Sequence, residues 1–119
     1  MITKEETIAK LKELKENITW STLDSDISDA INICIDYENE TQDYSAKYIH
    51  SDIYDEDMLG QHIQYRLKEF GPRIVAQDLV WLQDDSSYYY IDDTYGDVTN
   101  IDIDKLKDII DEMIDALED

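Results

Sequence analysis

Thirty Asp and Glu against ten Lys and Arg in 119 residues oblige any fold of this chain to hold a net charge of −20. Self-repulsion on that scale opposes compaction. The charge is also unevenly spread. Residues 1–23 are balanced, and residues 24–57 hold eleven acids and Lys47, net −10. Residues 58–83 carry Arg66, Lys68 and Arg73 and stand at +1, while residues 84–119 carry thirteen acids against Lys105 and Lys107, net −11. Two acidic blocks flank a nearly neutral middle.

The rest of the composition is that of a folded protein. Hydrophobic residues make up 42% of the chain, so the charge does not imply disorder. Nine Tyr, two Trp and many Ile supply core material, and three Gly and one Pro leave little room for low complexity. The length fits one acidic domain, residues 1–119, able to build a core without disulfide or metal. Cys34 is alone, which favours a reducing compartment. The first residues show no secretory pattern, and no stretch reaches the roughly 20 apolar residues of a membrane span. A soluble, cytoplasmic protein is expected, one repelled by anionic membranes and by nucleic acid itself.

Periodicity predicts a mostly helical α+β fold. Thr3-Lys4-Glu5-Glu6 reads as a capping box that opens a helix over about 3–16, with Ile8, Leu11 and Leu14 inside and Asn17 as its stop. A short link, 18–23, holds Trp20 as an anchor. From Asp24, the spacing of Ile27, Ala30, Ile31, Cys34 and Ile35 gives a buried helix face. The pattern can continue through Thr41, Tyr44 and Tyr48, as one helix or as two broken near Glu38–Glu40. Asp24, Asp26, Asp29, Asp36, Asp43 and Asp52 fall on its solvent side. Asp55 caps a helix carrying Leu59, Ile63, Leu67 and Phe70, which Gly71-Pro72 closes. Residues 72–83 read equally as helix or strand. Tyr88–Ile91 and Val98–Ile101 form one antiparallel β-hairpin around Gly96. Asp102 or Asp104 then caps a final acidic helix, with Leu106, Ile109, Ile110, Met113 and Leu117 on its apolar face.

Catalytic arrangements are thin. His50 and His62 stand twelve residues apart, outside any zinc spacing, and read as surface or boundary residues. No phosphate-binding glycine loop or nucleophile elbow occurs. Cys34, on an apolar stripe, reads as a buried inert thiol. Carboxylate pairs are too abundant to single out a glycosidase site. No enzyme activity and no cofactor are expected. A calcium loop fails on register: with Gly96 at the sixth position, Ile91 falls at the first, Tyr95 at the fifth and Asp102 at the twelfth. A divalent-cation-binding protein is kept only as a further alternative, with no metal ligands assigned.

Two strongly acidic blocks exceed what solubility alone requires. Duplex DNA carries one phosphate charge per about 1.7 Å, so twenty charges match roughly 34 Å of duplex. A compact domain of this length has a diameter of about 35 Å. The chain therefore approaches the charge per unit length of DNA, and its carboxylates suit the lysines and arginines of a DNA- or RNA-binding protein. The contact residues expected are Asp24, Asp26, Asp29, Asp36, Asp43, Asp52, Asp55 and Asp57 in the first block. In the second they are Asp92, Asp93, Asp97, Asp108, Asp111 and Asp115. Tyr89 or Tyr95 would serve as an aromatic anchor.

In size, charge and organisation the chain resembles the small acidic inhibitors of bacteriophages and mobile elements. These include DNA-mimicking antirestriction proteins, anti-CRISPR proteins and uracil-DNA glycosylase inhibitors. The stretch Tyr88-Tyr89-Tyr90-Ile91-Asp92-Asp93-Thr94-Tyr95-Gly96-Asp97-Val98-Thr99-Asn100-Ile101, followed by an acidic helix, also looks like the tail of small phage and prophage proteins. The resemblance implies an inhibitor that occludes the nucleic-acid site of a host defence or DNA-processing protein. The alternative is an acidic phage or prophage adaptor that binds a basic protein elsewhere.

Overall fold

The computed structural model describes residues 2–73, 88–92 and 97–118. Among them the order is α1 (Lys4–Glu16), α2 (Leu23–Thr41), α3 (Lys47–His50), β1 (Ile53–Asp55), α4 (Glu56–Phe70), β2 (Tyr88–Asp92), β3 (Asp97–Asn100) and α5 (Ile103–Glu118). The fold is α+β and mostly helical, as periodicity predicts. The helix-or-strand question for residues 74–83 and the turn of the hairpin around Gly96 lie outside the described residues. No helix among the described residues is long and apolar enough to cross a membrane.

The chain gathers into two compact units. Residues 1–51 and 102–119 form one, and residues 52–101 form the other. This regroups the acids, because each acidic block of the sequence is divided between the two units. The first unit holds nineteen acids against seven Lys, net −12, and the second holds eleven acids against three basic residues, net −8.

In the first unit α1 packs against both α2 and α5, and α3 packs against α2 and α5. The Thr3 hydroxyl accepts the Glu6 N–H to start α1, and Asn17 ends it by donating its side-chain amide to Glu13 O. The long helix question resolves in favour of a break. Gln42, at φ 61, ends α2 in the left-handed region and sends its N–H to Glu38 O. Tyr44 and Tyr48 therefore leave the helical face and are exposed. Trp20 is exposed too, against its expected role as an anchor. The apolar stripe of α5 behaves as its periodicity requires: Leu106, Ile109, Ile110, Met113 and Leu117 are buried, with Ile114 added.

The second unit is built on a three-stranded antiparallel sheet, β1-β2-β3, rather than a lone hairpin. The additional strand β1 pairs with β2 in the register Ile53↔Tyr90, Tyr54↔Tyr89 and Asp55↔Tyr88. β2 pairs with β3 as Tyr89↔Asn100 and Ile91↔Val98. Alternation turns Tyr89, Ile91 and Val98 to one face, where they pack with Leu59 and Ile63 of α4. Asp55 accepts the Met58 N–H and caps α4, and Gly71 closes the helix at φ 91, as expected. Leu67 and Phe70, expected inside, are exposed.

Two of these caps make a test that separates capping from charge. Asp55→Ala and Asp102→Ala each remove a negative charge from an overcharged chain. Each also removes the side chain that holds a helix N-terminus. Both variants are expected to lose about 1 kcal/mol in thermal or urea unfolding. Asp108→Ala, with no capping role, is expected to leave stability unchanged or slightly raised.

Candidate protein-interaction surface

The acids divide by what they do within the fold. One class is occupied with local structure. Asp55 and Asp102 are helix caps. Glu56 and Asp57 sit in the first turn of α4, where the helix dipole favours negative charge. Asp43 accepts from the Ser45 hydroxyl, the Ser45 N–H and the Tyr37 hydroxyl, the last at 2.8 Å. The Ser45 hydroxyl first, and then that of Tyr37, hold the Asp43 carboxyl below its ordinary range. Burial, followed by the Asp43 hydrogen bond, pushes the Tyr37 phenol up.

Among the described residues two acids are buried. Asp26, expected on the solvent side, is only 8% exposed. The Thr22 hydroxyl donates to its carboxylate at 2.7 Å, and its position in the first turn of α2 favours the charge. Glu38 is 5% exposed and lies 2.9 Å from His50 Nε2. The turn at Gln42 makes this pair possible by returning α3 onto α2. His50 is thus a boundary residue, within the expectation, and it partners a buried carboxylate. Replacing one member alone would strand the other without a partner in a poorly solvated place. Cys34 is also buried, and its thiol is pushed up to about 12 by desolvation and then by Glu38, as expected of an inert residue.

Most of the other described acids are surface residues with little internal use. They concentrate on α5. At 100° per residue, Asp104, Asp108, Asp111, Glu112, Asp115 and Glu118 occupy an arc of about 120°, opposite the buried stripe of the same helix. Lysines of α1 meet one edge of this arc. Lys15 Nζ is 2.7 Å from Asp111 Oδ1, and Lys12 Nζ is 4.0 Å from Glu118 Oε1. Asp104, Asp108, Glu112 and Asp115 are exposed, with no ion-pair partner among the described residues. On α2 the exposed acids are Asp24, Asp29, Asp36 and Glu40, set among Ser25, Asn32 and Asn39. That face is polar but less densely charged. The neutral helix α1 thus supplies counter-charge between two acidic neighbours.

The expected contact residues therefore do not act as one set. Asp24, Asp29, Asp36, Asp57, Asp108 and Asp115 are exposed. Asp43, Asp52, Asp55 and Asp111 are half-buried, and three of these carry the structural bonds above. Tyr89 is fully buried and cannot serve as a surface anchor. Asp93 and Tyr95 lie outside the described residues, as do the side chains of Asp92 and Asp97. Sequence reasoning passed over Asp104 and Glu112 as contacts, although both share the helical arc of Asp108 and Asp115. Among the described residues, no three His, Cys, Asp or Glu side chains gather where they could hold one metal ion. Comparison with protein-family models, curated proteins and solved structures finds no match to this chain or its fold.

Proposed function

We propose that this protein is a non-enzymatic inhibitor that occupies the nucleic-acid site of a basic DNA- or RNA-binding protein. The observation that carries the reading is the acidic arc of α5. Its sixteen residues span about 24 Å and present six acids, one per about 4 Å. A single DNA strand presents one charge per roughly 3.4 Å. Two of the six are matched by lysines of α1, and four are left for a partner. The rigid helix supplies fixed positions, which a disordered acidic tail would not. Short Asp side chains at three of the four free positions limit how far each carboxylate wanders. The buried stripe of the same helix fixes its orientation, so the arc is presented in one way.

The test is capture of partners from a nuclease-treated bacterial lysate at low and at high salt. A nucleic-acid-binding protein, released as salt screens the contact and blocked from its own DNA, is the expected result. A partner that keeps its DNA binding while held would replace mimicry by the adaptor reading.

A further inference from the structure

The first unit also has an open groove of about 450 Å³ between α1 and α2. Each helix lines it with residues at the same spacing. α1 contributes Lys10, Glu13, Leu14 and Asn17, and α2 contributes Asp29, Asn32, Ile33 and Asp36. Both sets are i, i+3, i+4 and i+7, the ridge that a helix normally turns toward another helix. Leu14 and Ile33 hold the middle position of each ridge and remain only half-buried. The groove thus has an apolar centre with polar ends, and no third helix among the described residues lines it.

We propose that this groove receives an amphipathic basic helix of the partner, of the kind that otherwise lies in the DNA major groove. The inference rests on the reading of the protein as a ligand for a nucleic-acid-binding protein, and it adds a second contact to the acidic arc. The charge selects the occupant. Asp29 and Asp36 are separated by two helical turns, about 10.5 Å, and differ by about 20° around the axis of α2. Glu13 adds a third acid, and Lys10 is the one cation among the described residues that line the groove. A helix with Lys or Arg seven residues apart places both cations against Asp29 and Asp36. An apolar residue three or four positions after the first cation then enters between Leu14 and Ile33. The amides of Asn17 and Asn32 can each donate and accept, so they tolerate polar groups along the same helix. A recognition helix fits this pattern where its base-reading face carries, beside cations and amides, an apolar residue of the kind that contacts a thymine methyl.

The test is a titration of the isotopically labelled full chain, followed by amide chemical shifts, with a capped synthetic helix of about five turns. The peptide carries Lys seven residues apart and Leu between them; a second peptide of the same composition has that spacing scrambled. The expected result is saturable shifts centred on residues 10–17 and 29–36, at least tenfold tighter for the patterned peptide. Asp29→Asn/Asp36→Asn is expected to remove that preference while leaving the spectrum of the free protein otherwise unchanged. Ile33→Ala is a second variant, expected to weaken the patterned peptide alone. Shifts centred on 104–115 with both peptides binding equally would overturn the groove and leave the acidic arc as the contact. Absence of any shift at low salt would overturn the groove and the basic-partner reading together.

Discussion

Asp108→Lys/Asp115→Lys is expected to raise the melting temperature of the protein and weaken its binding to the captured partner about 30-fold. The two effects have separate causes. On α5 the substitutions turn a row of like charges into alternating ones. A lysine at position 108 lies four residues after Asp104 and four before Glu112, and one at position 115 follows Asp111 by four. Each new i, i+4 pair contributes about 0.2–0.5 kcal/mol in place of a repulsion of similar size. The net charge falls from −20 to −16, which further relaxes self-repulsion. Neither aspartate is buried, capping or paired within the described fold. For the partner, each reversal removes an attraction and adds a repulsion, about 1 kcal/mol per site at moderate salt, or roughly 30-fold for two. Asp108→Asn/Asp115→Asn should give about half of the binding loss. A stabilised double variant with undiminished affinity would mean that the arc only keeps the protein soluble, and would remove the mimicry reading.

Local signals were enough to read most of the fold. The caps at Thr3, Asp55 and Asp102, the stop at Asn17 and the closure at Gly71 follow from side-chain chemistry confined to a few residues. The stripe of α5 follows from a strict helical period in a long segment. Strand β1 was not legible because three residues between two helices give no period to detect. Its existence depends on pairing with β2, some thirty-five positions away in the chain. The same limit applies to the site. Asp26 lies four residues before Ala30 and eleven before Tyr37, on the inner ridge of α2, so its burial was available from the helical wheel. His50 was different. Only the left-handed turn at Gln42 brings it to Glu38, and nothing in the sequence requires a Gln in that conformation. The two acidic blocks were real as composition, but the fold joins α2 and α5 around α1 and sets the strand-borne acids in another unit.

Tyr89→Ala is expected to destabilise the second unit by about 3–5 kcal/mol, the range for removing a buried aromatic ring. Tyr89 sits on the central strand, bonded to β1 on one side and β3 on the other. Its ring is fully buried against Leu59, Ile63, Ile91 and Val98, with Tyr54 packed beside them. A unit of about fifty residues buries proportionally little surface and has small reserves of stability, so that loss approaches the whole. Hydrogen exchange at the amides of Ile91 and Val98 should report it directly, as protection that collapses under conditions where the amides of Ile109 and Ile110 remain slow. Tyr89→Phe keeps the ring and is expected to lose no more than about 1.5 kcal/mol, the usual range for one hydrogen bond. Had Tyr89 been an exposed anchor, as the aromatic run around the hairpin suggests, alanine would change stability by about 0.5 kcal/mol or less and would act on binding instead. Partner capture by the Tyr89→Phe variant should therefore match that of the parent protein. A stable Tyr89→Ala protein that fails to bind would return this residue to the surface and overturn the sheet register that buries it.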